Sequence, residues 1–185
     1  MKNSFNRPGP ANTQEALAVL QEGIKRYGVK QVVVASTKGD TGLAAARLLK
    51  DSDLNLVVVT HNAGFKEPGA IEMEPAVRAE IEALGATVYT GTMPFRSIGV
   101  SIRDKRGATE EDIVANTLRL LGQGTKVCVE VALMASDAGL ITPDDVLAVA
   151  GTARGADTVA LIAPQSSNSL FRLKIRDILA KPIDW

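Results

Sequence analysis

The sequence has little of several residues on which well-known protein chemistry depends. It contains one cysteine and one histidine in 185 residues. An intramolecular disulfide is therefore excluded, and neither a zinc site nor a paired Cys–His nucleophile is expected. No apolar run approaches the roughly 20 residues that a membrane-spanning helix requires. Two nucleotide-binding fingerprints, G-x-x-x-x-G-K-[S/T] and G-x-G-x-x-G, are also absent, so a Walker loop or a dinucleotide site of the usual kind is not expected.

An excess of charge of either sign is missing as well. The chain has 21 basic and 21 acidic side chains, and its formal net charge is zero. A broad electrostatic partner such as duplex nucleic acid or an anionic membrane is therefore not expected. The first ten residues contain no apolar core of the kind found in a secretory signal. Together with the single cysteine, this favours a cytoplasmic location.

Short apolar runs alternate with amphipathic segments along the chain, which is typical of a mostly parallel sheet with helices on both faces. The length suits one domain. We predict a single α/β domain over residues 1–185, with an irregular N-terminal arm at residues 1–11. The runs predicted to be strands are Gln31–Ala35, residues 56–60, residues 86–90 (an outer strand), residues 126–131, Val146–Ala150 and Thr158–Ala163.

The last two predicted strands are joined only by GTARGAD, which is too short for a helical crossover. They should therefore pair antiparallel or lie at the sheet edge. We predict a three-layer α/β/α sandwich whose sheet has one antiparallel edge strand. Residues 170–178 suit a strand or a helix equally. Asn12 and Glu15 have the spacing of a capping box at the first helix, and Thr109 is predicted to cap a later one.

Ligands of open α/β sheets bind outside the carboxyl ends of the strands, where the candidate loops are residues 36–42, 61–67, 90–94 and 151–157. The first loop combines hydroxyls, an ammonium group and glycines at a helix N-terminus, which favours a bound anion. The alternative is a plain turn with Thr41 as helix cap. Asp40 would repel a phosphate unless it points away, caps the helix or pairs with Lys38. The candidate residues are Ser36, Thr37, Lys38, Gly39, Asp40, Thr41 and Gly42.

Two other loops carry candidate ligand-binding residues. His61 could act as an acid or base or bond a ligand, and Phe65 could stack on a flat ring. The alternatives are a surface or capping histidine and a phenylalanine packed beneath its own loop. The loop at 151–157 could wrap a phosphate, a ribose or a ribityl chain, or could be a simple hairpin loop. The candidates are His61, Asn62, Gly64 and Phe65 in one loop, and Gly151, Thr152, Arg154, Gly155 and Asp157 in the other.

Three stretches resemble the family of stand-alone proteins related to the C-terminal domain of pyruvate kinase. VVVASTKGDTGLAAARLL is similar to that domain's strand, phosphate loop and helix, and VLAVAGTARGADTVALIAP to its closing strand, effector loop and last strand. EVALMASDAGLITPDDV resembles the segment before that strand in the stand-alone proteins. The resemblance implies a pyruvate kinase C-terminal domain-like fold. In glycolytic members the loop T-K-S-G-R-S holds a phosphate of the effector, and Asp40 stands where they have arginine.

Stand-alone members of this family are associated with flavin mononucleotide (FMN). The first loop also resembles the flavodoxin phosphate loop, [T/S]-x-T-G-x-T, at Ser36, Gly39 and Thr41. The resemblance therefore implies an FMN-binding protein, with the phosphate on residues 36–42 and the ring near residues 61–65 or 151–157. Whether it is an enzyme, and of what reaction, stays open. The alternative is a non-catalytic sensor of a phosphorylated sugar or nucleotide. Related domains associate through helices and edge strands, so a homo-oligomer is also expected.

Overall fold

A single twisted sheet organises the chain. The computed structural model describes residues 3–185, and in this part the strand order is β1-β7-β6-β5-β2-β3-β4. Strands β2, β3, β4 and β5 pair in parallel, and β6 runs antiparallel to both of its neighbours. The strands are β1 (Asn3–Phe5), β2 (Gln31–Ala35), β3 (Asn55–Val59), β4 (Thr87–Tyr89), β5 (Val146–Ala150), β6 (Thr158–Ala163) and β7 (Lys174–Pro182).

Helices cover both faces of this sheet, so the predicted three-layer α/β/α sandwich is confirmed. Alternate strand residues point to opposite faces: Val32 and Val34 join the core under α1, α2 and α3, whereas Val33 joins the core under α6. The helices are α1 (Thr13–Tyr27), α2 (Asp40–Leu49), α3 (Pro75–Ala83), α4 (Ser97–Arg106), α5 (Glu110–Arg119) and α6 (Gln123–Asp137), with 3₁₀ turns at Pro10–Asn12 and Ser167–Arg172.

The antiparallel strand lies inside the sheet rather than at its edge. The ambiguous tail forms β7, which pairs with β6 on the side away from β5. The edge strands are therefore β1 and β4, and the predicted outer position of β4 is confirmed. The N-terminal arm is not wholly irregular, because β1 pairs in parallel with β7. A three-residue strand is too short to show an alternating pattern in the sequence.

The prediction of a strand at residues 126–131 is wrong, because this segment lies within α6. Helix α6 is buried on most sides, packing on β2, β5 and β6 and beneath α5. A helix buried all round has no polar face to reveal its period, and its run of valines looks like a strand. Tertiary packing overrides the local β preference of that run.

Local capping bears out one sequence prediction and corrects another. Thr109 caps α5 through a full capping box, since its hydroxyl accepts from the Asp112 N–H and the Asp112 carboxylate accepts from the Thr109 N–H. Asn12 precedes α1 but makes no side-chain cap. Its amide instead donates to the carbonyl oxygens of Arg7 and Gly9. Within residues 3–185, no helix is both long enough and apolar enough to cross a membrane.

Candidate functional site

A cleft of about 660 Å³ opens at the carboxyl ends of β2, β3 and β5. Its floor is formed by the residues that end or follow these strands, including Ala35, Thr60 and Gly151, and its outer wall by α4, α5 and α6. Open α/β sheets bind ligands at this edge. The volume falls in the range of roughly 300–1,000 Å³ that small-molecule sites occupy.

All four loops identified in the sequence reach this cleft, the loop at 90–94 through Met93. Ten of the candidate residues line it: Ser36, Thr37, Lys38, Asp40, Thr41, His61, Phe65, Gly151, Arg154 and Gly155. Six candidates do not line it: Gly39, Gly42, Asn62, Gly64, Thr152 and Asp157.

The loop between β2 and α2 presents a row of backbone donors. The N–H groups of Thr37, Lys38 and Gly39 make no hydrogen bond within the described part of the chain. Those of Asp40 and Thr41 belong to the first turn of α2, where N–H groups lack an intrahelical partner. Because the helix dipole adds partial positive charge at this end, the loop suits an anion.

Two glycines within residues 36–42 have no room for a side chain because of packing, and neither lines the cleft. A Cβ on Gly39 would lie 2.2 Å from Cγ1 of Val77 on α3, and Gly39 has a φ of +105°. A Cβ on Gly42 would lie 2.6 Å from Cγ1 of Val58 on β3. The missing side chains allow α2 to approach its neighbours closely. The Gly42 N–H donates to the buried Ser36 hydroxyl, 3.0 Å away.

His61 is held between a carboxylate and a hydroxyl. Its Nδ1 lies 2.8 Å from Oε2 of Glu72, and its Nε2 lies 3.3 Å from Oγ1 of Thr37. The other Glu72 oxygen contacts Nζ of Lys66 at 3.0 Å. Burial raises the pKa of Glu72, but hydrogen bonds from His61 and Lys66 outweigh it, so its pKa lies below the usual value. Glu72 is a site residue that the sequence analysis did not identify.

Phe65 lies in the middle of a stack. The His61 ring packs on it with a centroid distance of 3.8 Å and an interplanar angle of 24°. The Arg96 guanidinium carbon lies over the same ring, 4.3 Å from its centroid. At such distances the two groups must occupy opposite faces, so Phe65 has no free face in this arrangement. A flat ligand could stack on Phe65 only if Arg96 moved away.

The outer wall of the cleft is basic. Arg103 pairs with Asp112 at 2.5 Å, and Arg119 bonds the neutral side chains of Asn116 and Gln123. No sequence pattern assigned these residues to the site. The only signal available was the concentration of basic residues between 96 and 106, and no motif joined it to the loops.

A buried ion pair lies behind this wall. Lys126 and Glu130 are one turn apart on α6, only 5% and 1% exposed, and both line the cleft. The ammonium bonds Oε2 of Glu130, and Oε1 accepts the N–H of Phe95 at 3.1 Å. Burial lowers the pKa of Lys126, against the opposing effect of Glu130. Assigning these residues to a strand hid their shared helical face.

The loop at 151–157 is fastened by an aspartate that faces away from the cleft. Asp157 is fully buried, and its Oδ2 accepts the N–H groups of Gly9 at 2.9 Å and Thr152 at 3.0 Å. Its Oδ1 accepts the hydroxyl of Thr158. Asp157 therefore ties the N-terminal segment to this loop. Arg154 is exposed at the cleft and has no ion pair among residues 3–185.

The two remaining candidates have local roles. The Asn62 amide donates to the carbonyl oxygen of Ala63. The N–H of Gly64 donates to the carbonyl oxygen of Ala70, which closes the turn between these residues.

Comparison with known proteins gives a similarity of fold alone. No family model matches the chain. Among solved structures, a pyruvate kinase from Cryptosporidium parvum is similar, with 16% sequence identity and a TM-score of 0.41. The match covers 85% of this chain and 24% of that one, so the chain spans about a quarter of the length of that pyruvate kinase. This similarity assigns no activity to the chain.

Proposed function

We propose that the cleft binds a phosphorylated small molecule whose phosphate sits on residues 36–42, and that FMN is the first candidate to test. The observation that carries this proposal is the row of unpartnered backbone N–H groups at the start of α2. Such a row is a preformed anion site, since the donors need no rearrangement to meet a phosphate.

The charges around the cleft support an anionic ligand. Seven lysine and arginine side chains line it, against four carboxylates. Three of those carboxylates, Glu72, Asp112 and Glu130, are paired with cations. Lys38 and Arg154 have no ion pair within the described residues. These two side chains are therefore available to a phosphate that lies on the loop.

The site suits the phosphate of FMN better than it suits the flavin ring. The N–H groups of the first loop suit its phosphate, with Lys38 and Arg154 as further donors. When bound, a flavin would supply electron-transfer chemistry that the side chains themselves lack. The ring has no free face of Phe65 to stack on while Arg96 covers it.

That covered ring supports a second candidate function, a non-catalytic sensor of a phosphorylated sugar or nucleotide. A sugar phosphate needs no stacking surface and would use the polar, cation-rich lining directly. The contact between Arg96 and Phe65 would then remain in place when the sugar phosphate or nucleotide is bound.

The test compares ligands that differ by one phosphate. Visible absorption and mass spectrometry of the purified protein would identify a retained flavin. Calorimetric titration with FMN, riboflavin, ribose 5-phosphate and ribose would follow. The proposal expects each phosphorylated ligand that binds to do so at least about tenfold more tightly than its unphosphorylated partner, because a hydrogen bond to a charged group contributes roughly 1.5–3 kcal/mol. FMN binding supports the flavin candidate, and ribose 5-phosphate binding alone supports the sensor.

Lys38→Ala provides the site-specific test. It should lower the affinity for the phosphorylated ligand by about tenfold, in line with roughly 1.5 kcal/mol for a charge-assisted hydrogen bond. The affinity for the unphosphorylated ligand should not change. Lys50→Ala is the matched control, because Lys50 is exposed at the opposite end of the same helix. Equal binding of FMN and riboflavin, or equal losses in both variants, would contradict the assignment of the loop.

A further inference from the structure

A hydroxyl, an imidazole and a carboxylate lie in series at the mouth of the cleft. In the neutral imidazole that donates from Nδ1 to Oε2 of Glu72, Nε2 is the acceptor for the Thr37 hydroxyl. Glu72 also binds Lys66, and this second contact fixes its position. All three members line the cleft. This is the order of nucleophile, base and orienting acid that acyl-transfer enzymes use.

Thr37 lies between a strand and a helix, as the nucleophile of many acyl-transfer enzymes does. It lies in the turn between β2 and α2, and the residues two positions before and after it are the small Ala35 and Gly39. A turn between a strand and a helix can expose a hydroxyl at the top of a sheet, although among the described non-glycine residues only Ala153 has the positive φ of a strained turn, so Thr37 shares the chain position of a nucleophile elbow and not its backbone strain. The adjacent Ser36 is excluded, because it is buried and its hydroxyl accepts the Gly42 N–H.

A backbone N–H that could stabilise a developing oxyanion comes directly after Thr37 in the chain. This N–H, of Lys38, has no partner within residues 3–185, and Lys38 lines the cleft. In nucleophile-elbow enzymes, the N–H of the residue after the nucleophile stabilises the tetrahedral intermediate. Preorganised donors of this kind contribute a large part of catalysis.

We propose that Thr37, His61 and Glu72 catalyse the hydrolysis of small carboxylic esters. Thr37 Oγ1 bonds to the acyl carbon while its proton passes to Nε2 of His61. The bond to the ester oxygen then breaks, and the leaving alcohol takes that proton. Water next attacks the acyl-threonine, gives a proton to His61 and releases the carboxylic acid, while the proton returns to Thr37. Glu72 does not touch the substrate and acts as a positioning residue.

The geometry favours acyl over phosphoryl transfer. In acyl transfer, one imidazole beside the nucleophile serves both the attacking and the leaving oxygen. In phosphoryl transfer these two oxygens lie roughly in line on opposite sides of the phosphorus. His61 contacts Thr37 from one side and could not reach both.

The lining indicates the class of ester. Cations outnumber carboxylates around the cleft, and Lys38 and Arg154 are unpaired among the described residues. An ester that carries an anionic group therefore suits the cleft better than a neutral one. This activity goes beyond the proposed phosphate site. It uses the same backbone donors, so a phosphate on the loop would compete with the reacting ester.

The test uses p-nitrophenyl acetate and a set of conservative variants. Thr37→Val removes the nucleophile with little change in shape and leaves His61 no proton to accept, so it should lower kcat/KM by at least about 100-fold. Thr37→Ser should retain activity. Thr117→Val is the matched control, since this threonine is exposed on α5 and outside the cleft. After acid quench, peptide mass spectrometry should locate the acetyl group on Thr37.

Glu72→Gln tests the positioning role. It should lower the rate and move the acid limb of the pH profile to lower pH, because the imidazolium loses its carboxylate partner while Lys66 and Arg96, the nearby charges, stay in place. A purely structural role would not move that limb. The ester class is tested by comparing 4-acetoxybenzoate with its methyl ester, and the anionic ester should have the higher kcat/KM.

Wild-type turnover by a folded Thr37→Val variant, or an acetyl group found only on lysine or histidine, would overturn the proposal. Equal or faster turnover of the methyl ester would overturn the anionic class. Calorimetry with FMN and ribose 5-phosphate on the same proteins keeps the two proposals apart, because Thr37→Val removes only the hydroxyl and keeps the backbone donors proposed to bind phosphate.

Discussion

The buried pair of Lys126 and Glu130 allows a sharp prediction for Lys126→Met. Methionine has a similar length and no charge, so the change removes the ammonium group while largely preserving volume. Glu130, only 1% exposed, would then keep one partner, the N–H of Phe95. A carboxylate left in that position has lost the charge that compensated for its burial.

The expected cost follows from the nature of the pair. Removing one partner of a buried ion pair typically costs about 3–5 kcal/mol. Burial lowers the pKa of Lys126, which means that the ammonium itself is penalised in the folded state. Removing the ammonium relieves its own desolvation penalty, so we expect a loss of stability at the lower end of this range, about 3 kcal/mol. For a protein of this size that corresponds to a fall in Tm of roughly 6–12 °C.

A double variant separates the charge from the hydrogen bond. Lys126→Met combined with Glu130→Gln removes both charges but keeps an oxygen that can accept the Phe95 N–H. Replacing both members of a buried pair by neutral groups is often close to neutral. We therefore expect the double variant to lie within about 1 kcal/mol of the wild type and to be more stable than the single variant.

Urea denaturation at neutral pH, followed by circular dichroism, measures these free energies of unfolding. Arg47→Met is the control, because Arg47 and Glu80 form an exposed pair at 2.6 Å with side-chain exposures of 61% and 49%. Such a pair contributes at most about 1 kcal/mol. The reasoning fails if Lys126→Met costs no more than Arg47→Met, or if the double variant is as unstable as the single one.

Two further predictions concern the loops of the cleft. Gly39→Ala should lower the free energy of unfolding by about 2 kcal/mol or more through overpacking and left-handed strain, and Val77→Ala should restore part of this loss in urea titrations by opening the contact at 2.2 Å. For Glu72, the folded-state pKa lies below its ordinary value of 4.5. The stabilising contribution is therefore present above pH 4.5 and is lost as the pH falls through the depressed pKa. The stability difference between wild type and Glu72→Gln should shrink in that acidic range, and a difference that grew there would contradict the assignment.

Local patterns in the sequence determined much of the architecture. The unbroken apolar runs of β2, β3 and β5 mark strands covered on both faces, and the segments between β2, β3 and β4 carry helical periods. The antiparallel pairing of β5 with β6 followed from the length of their connection. The donors at the start of α2 were also predictable, because a strand, a loop with glycine and a helix in that order bring free N–H groups to the sheet edge.

Other features depended on contacts that no local pattern records. Gly39 looked like part of a phosphate loop, yet its Cβ position is closed by Val77 of α3. Asp157 looked like a ligand residue, yet it fastens the N-terminal segment through the N–H of Gly9. In each case the partner is distant in sequence, and the role of the residue changes with the partner.

The interior position of β6 and the helical state of residues 126–131 were decided by tertiary packing. Strand β7 flanks β6 because the ambiguous tail turns back after the 3₁₀ turn and pairs as a strand. Helix α6 gains its stability from burial on several sides rather than from an amphipathic pattern. Glu72, eleven residues beyond His61, became its partner because the loop after β3 folds back on itself. Sequence periodicity reports which face of an element is apolar, whereas the identity of the group that meets each side chain is fixed only when distant elements come together.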